Sequence, residues 1–175
     1  KDPLLASWSK QNLIGSNENL LMSEKAVETN DKMPIYAFNF LNSFFKEDSL
    51  SNKNITLLGV SYAPDVGDTR YSPVEVFYRC LIKYTTSIKL HDPFINYWDE
   101  LSIDVNDQKL FLDDDIEVLV ITTGHSIYRN NKDLIGQLLN MHSIFIYDTI
   151  GILNEDEITK LNQKHTVKVL GRGDL

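Results

Sequence analysis

Gly59-Val-Ser-Tyr-Ala-Pro-Asp-Val-Gly-Asp-Thr-Arg-Tyr-Ser-Pro73 lies between a short apolar run, Ile55-Thr-Leu-Leu58, and an amphipathic one, Val74-Glu-Val-Phe-Tyr-Arg-Cys-Leu-Ile82. The order reads as strand, loop, helix, with Ser72 as N-cap and Pro73 at the first helical position. A loop joining the carboxyl end of a parallel strand to the amino end of a helix is where open α/β sheets hold ligands. This one carries two Asp, one Arg, two Tyr and three Ser/Thr hydroxyls, more polar chemistry than a connector needs.

Four further apolar runs follow: Ser87–His91, Val118–Thr122, Ile144–Asp148 and Val167–Leu170. Helical patterns separate them at Val74–Tyr84, around Asn130–Leu139 and at Glu155–Asn162. Near-continuous β-branched strands alternating with short helices predict an α/β domain, a Rossmann-like parallel sheet with helices on both faces. Asp113-Asp-Asp115 reads as a turn before the third strand.

Upstream the pattern changes. Residues 1–50 are helical in periodicity, and residues 51–175 form the α/β domain. Leu4, Leu5, Trp8, Leu13 and Ile14 predict a first helix ending near Gly15. A second runs from about Asn17 to Phe45, with Leu20, Leu21, Ala26, Val27, Met33, Ala37, Phe40, Leu41 and Phe44 toward one face. Pro34 inside it predicts a kink or break near Asp31–Met33. The polar stretch Lys46–Asn54 is the expected boundary.

Size and composition narrow the function classes. A chain of 175 residues supports one well-buried core. Its net charge of −8 argues against a general nucleic-acid partner, which needs a basic face. No apolar run approaches the roughly 20 residues of a membrane span, so no membrane partner is expected. The single cysteine, Cys80, excludes an internal disulfide and any Cys/His zinc spacing, and fits a small buried hydrophobe in a reduced, cytoplasmic protein. The chain begins with Lys1, which suggests a fragment or processed product.

Candidate chemistry gathers at strand ends. Arg70 is a fixed cation near a helix amino terminus, a combination suited to pyrophosphate. Asp65 and Asp68 are placed to orient it or to accept bonds from ligand hydroxyls; equally, Asp68 and Arg70 make a structural pair and Ser72 only caps. Asp92, in His91-Asp-Pro93, stands where dinucleotide folds bind a ribose, but the first loop lacks Gly-x-Gly-x-x-Gly, and a simple turn is the favoured reading. His125, in Thr122-Thr-Gly-His-Ser-Ile-Tyr128, ends the third strand with no Ser or Cys nucleophile motif beside it. His142 and His165 fall at strand beginnings and read as structural. The terminal Arg-Gly-Asp triplet within Gly171-Arg-Gly-Asp174 reads as coincidence.

With its order and spacing, Gly59–Pro73 resembles the signature loop of the UDP-glucose/GDP-mannose dehydrogenase family, in its C-terminal nucleotide-sugar-binding domain. Lys1-Asp-Pro3 resembles the tail of that family's active-site motif, in which a cysteine precedes the aspartate by four residues. Thr29-Asn-Asp-Lys-Met-Pro34 resembles the central helix that links the two halves and forms the dimer. Lys89-Leu-His-Asp-Pro93 and Val118–Asn130 resemble two further family segments.

The resemblance implies the C-terminal part of an NAD-dependent enzyme that oxidises the C6 alcohol of a UDP-sugar to a carboxylate for surface polysaccharide synthesis. It implies an N-terminal NAD-binding domain in a longer parent chain, a catalytic cysteine carrying a thiohemiacetal and then a thioester, and a homodimer. The fragment alone is not expected to turn over. Position by position, Asp2 matches the aspartate that works with the cysteine, Arg70 the arginine that reaches the NAD pyrophosphate, and Tyr62 the aromatic beside the uridine. Asp68 belongs to the same substrate-side loop.

Two departures stand out. Ala63 occupies the place of a substrate-binding lysine, and Ile150, in Asp148-Thr-Ile-Gly151, that of an arginine. Each missing charge-assisted contact is worth about 1.5–3 kcal/mol. A non-catalytic nucleotide-sugar-binding module is therefore the alternative. A receiver-like signalling domain, prompted by Asp113–Asp115, is disfavoured because that run precedes a strand.

Overall fold

The computed structural model describes Trp8, Asn12 and residues 21–45, 50–51, 53–106 and 112–172. Of the first expected helix only Trp8 and Asn12 fall within this set, both helical; Asp2, residues 17–20 of the second expected helix, and residues 46–49 and 52 of the expected boundary lie outside it.

All five predicted strands form, as β1 (Ile55–Leu58), β2 (Ile88–His91), β5 (Val118–Ile121), β6 (Phe145–Asp148) and β7 (Thr166–Val169). They make one parallel sheet in the order β2-β1-β5-β6-β7. The chain moves outward from β1 to β2, then crosses back to β5 on the other side of β1. The sheet order thus reverses between β1 and β5, and a crevice opens there at the carboxyl ends.

Period-2 alternation sorts the strands' side chains into two cores. Ile55, Leu57, Val118, Val120 and Tyr147 face one way, packing under α1 (Leu21–Ser43) and α2 (Pro73–Leu81). Leu58, Leu119, Ile121, Ile146, Val167 and Val169 face the other, under α3 (Lys132–Asn140) and α4 (Glu155–Leu161). The expected helix-covered Rossmann-like sheet is what the chain builds. The helix starts carry their signals: Ser72 caps α2 with Pro73 following, Asn131 caps α3, and Asn154 with Glu157 forms a capping box on α4.

Helix α1 departs from expectation twice. It runs unbroken through Pro34. The proline forfeits one backbone hydrogen bond, but its ring is buried in a stripe with Ala37, Phe38 and Leu41, and that packing offsets the loss. The stripe is also narrower than the expected face. Met33 and Phe44 are exposed, Ala26 is exposed too, and Phe38, absent from the expected set, is buried against Phe77 and Tyr84. Tyr147 ties the helix to the sheet by donating its hydroxyl to the Ala37 carbonyl at 3.2 Å.

An antiparallel hairpin, β3 (Tyr97–Trp98) with β4 (Ile103–Asp104), has no counterpart among the expected elements. Two residues per strand are too few to show a period. It buries Trp98 against Tyr78 and lies between β2 and β5 in the chain. Cys80 is half-buried against the α1–α2 core, and Asp114–Asp115 form a turn before β5 as expected.

Candidate functional site

The crevice is organised by one buried carboxylate. Asp92, just beyond β2, is fully buried and accepts from the Val60 N–H (2.8 Å), the Ser61 N–H (3.0 Å), the Ser61 hydroxyl (2.8 Å) and His125 Nε2 (3.0 Å) on one oxygen. Its other oxygen accepts from the Phe94 N–H at 3.0 Å. Burial by itself would push the carboxyl up. The hydrogen bonds from His125, Val60, Phe94 and Ser61 outweigh it and hold the pKa at about 2. The turn read at Asp92-Pro93 is present in the Phe94 bond, but the same side chain also joins the ends of β1, β2 and β5.

His125 carries the linkage onward. Its Nδ1 accepts from the Asp65 N–H at 2.9 Å, which places the ring proton on Nε2, facing Asp92. Asp65 reciprocates: its carboxylate accepts from the N–H and hydroxyl of Ser126, and the Ser126 N–H, with other smaller contributions, holds its pKa down. Asp65 is held at φ +58°. Thr123 donates to the Ser61 carbonyl, and Thr69 donates to Glu100 on the hairpin turn at 2.6 Å. Gly59 is obligatory here: at φ +94° its missing Cβ would lie 2.3 Å from Thr123 Cβ. Both ring nitrogens of His125 are thus committed inside the protein, as they are for buried His165, whose Nδ1 accepts from the Ile144 N–H and whose Nε2 donates to the Leu138 carbonyl.

The loop so pinned presents its outward residues to solvent and to a cleft. Asp68 and Arg70 form a two-pronged pair, Nε–Oδ1 3.0 Å and Nη2–Oδ2 2.7 Å, and the guanidinium hydrogen bonds hold the Asp68 carboxyl at about 2. The pair projects outward, with Arg70 77% exposed. Tyr71, at φ +60°, is 92% exposed. Tyr62 and Tyr71 line a cleft of about 650 Å³ between α1 and the sheet's carboxyl edge. Its walls come from Asn30, Asp31, Met33, Pro34 and Ala37 of α1, the start of α2, and Thr122, Thr149, Ile150 and Leu170 beyond the strands. Ala63 is half-buried and stands off the cleft lining.

Beside the cleft, buried Asp148 ends β6 and caps its own turn, accepting from the N–H groups of Ile150, Gly151 and Leu153. Ile150 is consequently turned out, 46% exposed, into the cleft. Tyr128 fixes the next layer: its hydroxyl donates to the His91 carbonyl and accepts from His91 Nδ1, and burial drives its pKa upward. Asp113 and Asp115 lie at the opposite end of the sheet, paired with Lys89. Among the described residues no cluster of His, Cys, Asp or Glu has metal-binding geometry.

A parallel doubly wound sheet with a polar, preorganised loop at its switch point defines a Rossmann-like ligand-binding domain. Residues 56–155 match the UDP-glucose/GDP-mannose dehydrogenase family, UDP binding domain, and the chain belongs to that family. It is 28% identical over 163 residues to a UDP-N-acetyl-D-mannosamine dehydrogenase of Methanococcus aeolicus, covering 92% of this chain and 36% of the relative. A protein of the same name from Methanocaldococcus jannaschii is 28% identical over 167 residues, 93% of this chain and 36% of the relative. The chain therefore spans little more than a third of these curated relatives.

Two solved structures share the fold. A UDP-D-ManNAc dehydrogenase from Pyrococcus horikoshii superposes with a TM-score of 0.69 at 21% identity, over 93% of this chain and 36% of its own. An NDP-N-acetyl-D-galactosaminuronic acid dehydrogenase from Methanosarcina mazei gives 0.67 at 23% identity, over 90% and 32%.

Proposed function

We propose that the chain is the nucleotide-sugar-binding part of an NAD-dependent dehydrogenase that oxidises the C6 alcohol of a UDP-sugar to a carboxylate for surface polysaccharide synthesis. The observation that carries this reading is the cleft at the switch point, bounded by α1 and by a loop locked to three strand ends. Its mixed apolar and hydroxyl lining suits a base and a sugar, with Tyr62 at hand for the uridine. The kinship with UDP-N-acetyl-D-mannosamine dehydrogenases makes that UDP-sugar the first substrate to test.

The residues present do not make a dinucleotide site of their own. Asp92, where a ribose would bind, is buried and saturated, and the loop lacks the close glycines. When bound, NAD accepts hydride from the substrate. In this reading the cofactor is held by another part of the parent chain, and outward-facing Arg70, oriented by Asp68, meets its pyrophosphate. Asp2 works beside a cysteine four residues upstream. The exposed Met22, Ile35 and Tyr36 of α1 support a homodimer through that helix. No described helix is long and apolar enough to cross a membrane. The single cysteine, Cys80, fits a cytoplasmic protein.

A second reading, a binding module without turnover, draws on the absence of Lys and Arg from the described cleft lining. One experiment separates the two: the full-length gene product, NAD and a panel of UDP- and GDP-sugars, followed by NADH absorbance. Two NADH per UDP-sugar, fastest with UDP-N-acetyl-D-mannosamine, is the expected outcome. Tight UDP-sugar binding without NADH supports the module, and neither binding nor NADH defeats both.

A further inference from the structure

We infer that Arg129 supplies the cation for the substrate diphosphate at the cleft; this rests on the nucleotide-sugar reading above. The cleft has an electrostatic deficit. Its lining holds Asp31 and Glu75 and, among the described residues, no Lys or Arg, in a chain of net charge −8. A diphosphate entering it needs positive charge from the rim.

The chain has four arginines. Arg70 is paired with Asp68, Arg79 with Glu75, and Arg172 with Glu155. Arg129 has no carboxylate partner within salt-bridge distance among the described residues. Its Nε donates to the Gly124 carbonyl at 3.2 Å, which anchors the guanidinium across the loop beyond β5 and leaves both Nη groups for a ligand. The absence of a side chain at Gly124 makes this possible: a Cβ there would lie 2.9 Å from Arg129 Nη2 and 3.1 Å from Ile150 Cγ2. The guanidinium and Ile150 thus share one spot at the carboxyl edge of the sheet, and Ile150 lines the cleft.

A cation therefore stands beside Ile150, at the rim of the cleft. A carboxylate that feels it, Asp65, is already spent on Ser126. An anchored guanidinium whose NH2 groups form no ion pair among the described residues is suited to a two-pronged grip on phosphate oxygens, a geometry a lysine cannot reproduce.

The test is calorimetry of the full-length gene product with UDP, uridine and inorganic pyrophosphate, for the wild type, Arg129→Gln and Arg129→Lys. Arg129→Gln is expected to weaken UDP and pyrophosphate at least about tenfold and to leave uridine unchanged. It should also flatten the salt dependence of UDP binding. Arg129→Lys, which keeps the charge on an exposed stem and the fold with it, should fall between the two. Unchanged UDP and pyrophosphate affinities in Arg129→Gln overturn the assignment. Pyrophosphate binding that depends on Arg129, without any gain from the nucleoside or sugar, would keep Arg129 as an anion site and defeat the nucleotide-sugar reading. A wild type that binds neither UDP nor pyrophosphate defeats both.

Discussion

The two ends of the same sheet are built from similar residues and put them to different use. At the amino end, Lys89 pairs with Asp113 and Asp115, and Lys53 with Glu117, on side chains between about a third and two thirds exposed. At the carboxyl end, Asp92, His125, Ser61 and Thr123 are buried, and their bonds run between loops more than thirty residues apart in the chain. Charges in water gain little from pairing, whereas a buried carboxylate is stable only when its partners are all in place. Losing one pair at the amino end should cost little. The carboxyl end holds one loop in one shape, which is what a ligand edge requires.

The largest effect should come from Asp92→Ala. It strands the backbone N–H groups of Val60, Ser61 and Phe94, the Ser61 hydroxyl and His125 Nε2, and the expected loss is about 3–5 kcal/mol in urea unfolding. A loss below about 1 kcal/mol would mean that the two ends are energetically alike. Next is Gly59→Ala, expected to cost at least about 2 kcal/mol, because the added Cβ meets Thr123 and the backbone sits at positive φ. A Gly59→Ala protein with wild-type stability would show that the loop is not held as tightly as its hydrogen bonds suggest.

How much of this is legible in the sequence follows the range of each interaction. The five strands are, because β-branched apolar runs such as Val118-Leu-Val-Ile121 announce themselves locally. So is the start of α2, where Ser72-Pro73 carries cap and first turn in two letters. The buried stripe of α1 is not. Which of its apolar residues turn inward is set by Phe77, Tyr84 and Tyr147, far along the chain, and Phe38 escapes the periodic pattern on that account. Asp92 is visible as a turn or a ribose ligand but not as the hub of a network, since its donors at Val60, Ser61 and His125 are remote in sequence. Arg129 carries no signal at all until Gly124 and Ile150 are brought beside it. Elements are readable; convergence is not.

Acid should separate the two ends more gently. Asp92 titrates at about 2 in the folded protein against an ordinary 3.8 when unfolded. A depressed carboxyl stabilises the fold fully above its unfolded pKa, and that stability drains away as pH falls from about 4 through 2. The shift corresponds to about 2 kcal/mol. Urea midpoints of wild type and Asp92→Asn, taken from about pH 5 down to about 2, should converge over that window. A gap that stays constant would show that the carboxylate's charge is not what the network stabilises.

The smallest effect is expected at the other end, and it sharpens the comparison most because it predicts near-silence. Lys89 is half exposed and lies 2.9 Å from Asp113 and 3.3 Å from Asp115. Each contact alone would be worth a fraction of a kcal/mol, and the side chain gives up entropy to make both. Lys89→Ala should therefore cost less than about 1 kcal/mol, and the cost should shrink as salt is raised to about 1 M, where exposed pairs are screened. Asp92→Ala should keep nearly all of its penalty in the same salt, because water and ions do not reach that carboxylate. If Lys89→Ala instead cost as much as Asp92→Ala, and did so in high salt, the amino-end pairs would be structural anchors. The contrast between a solvated end and a ligand-holding end would then have to be abandoned.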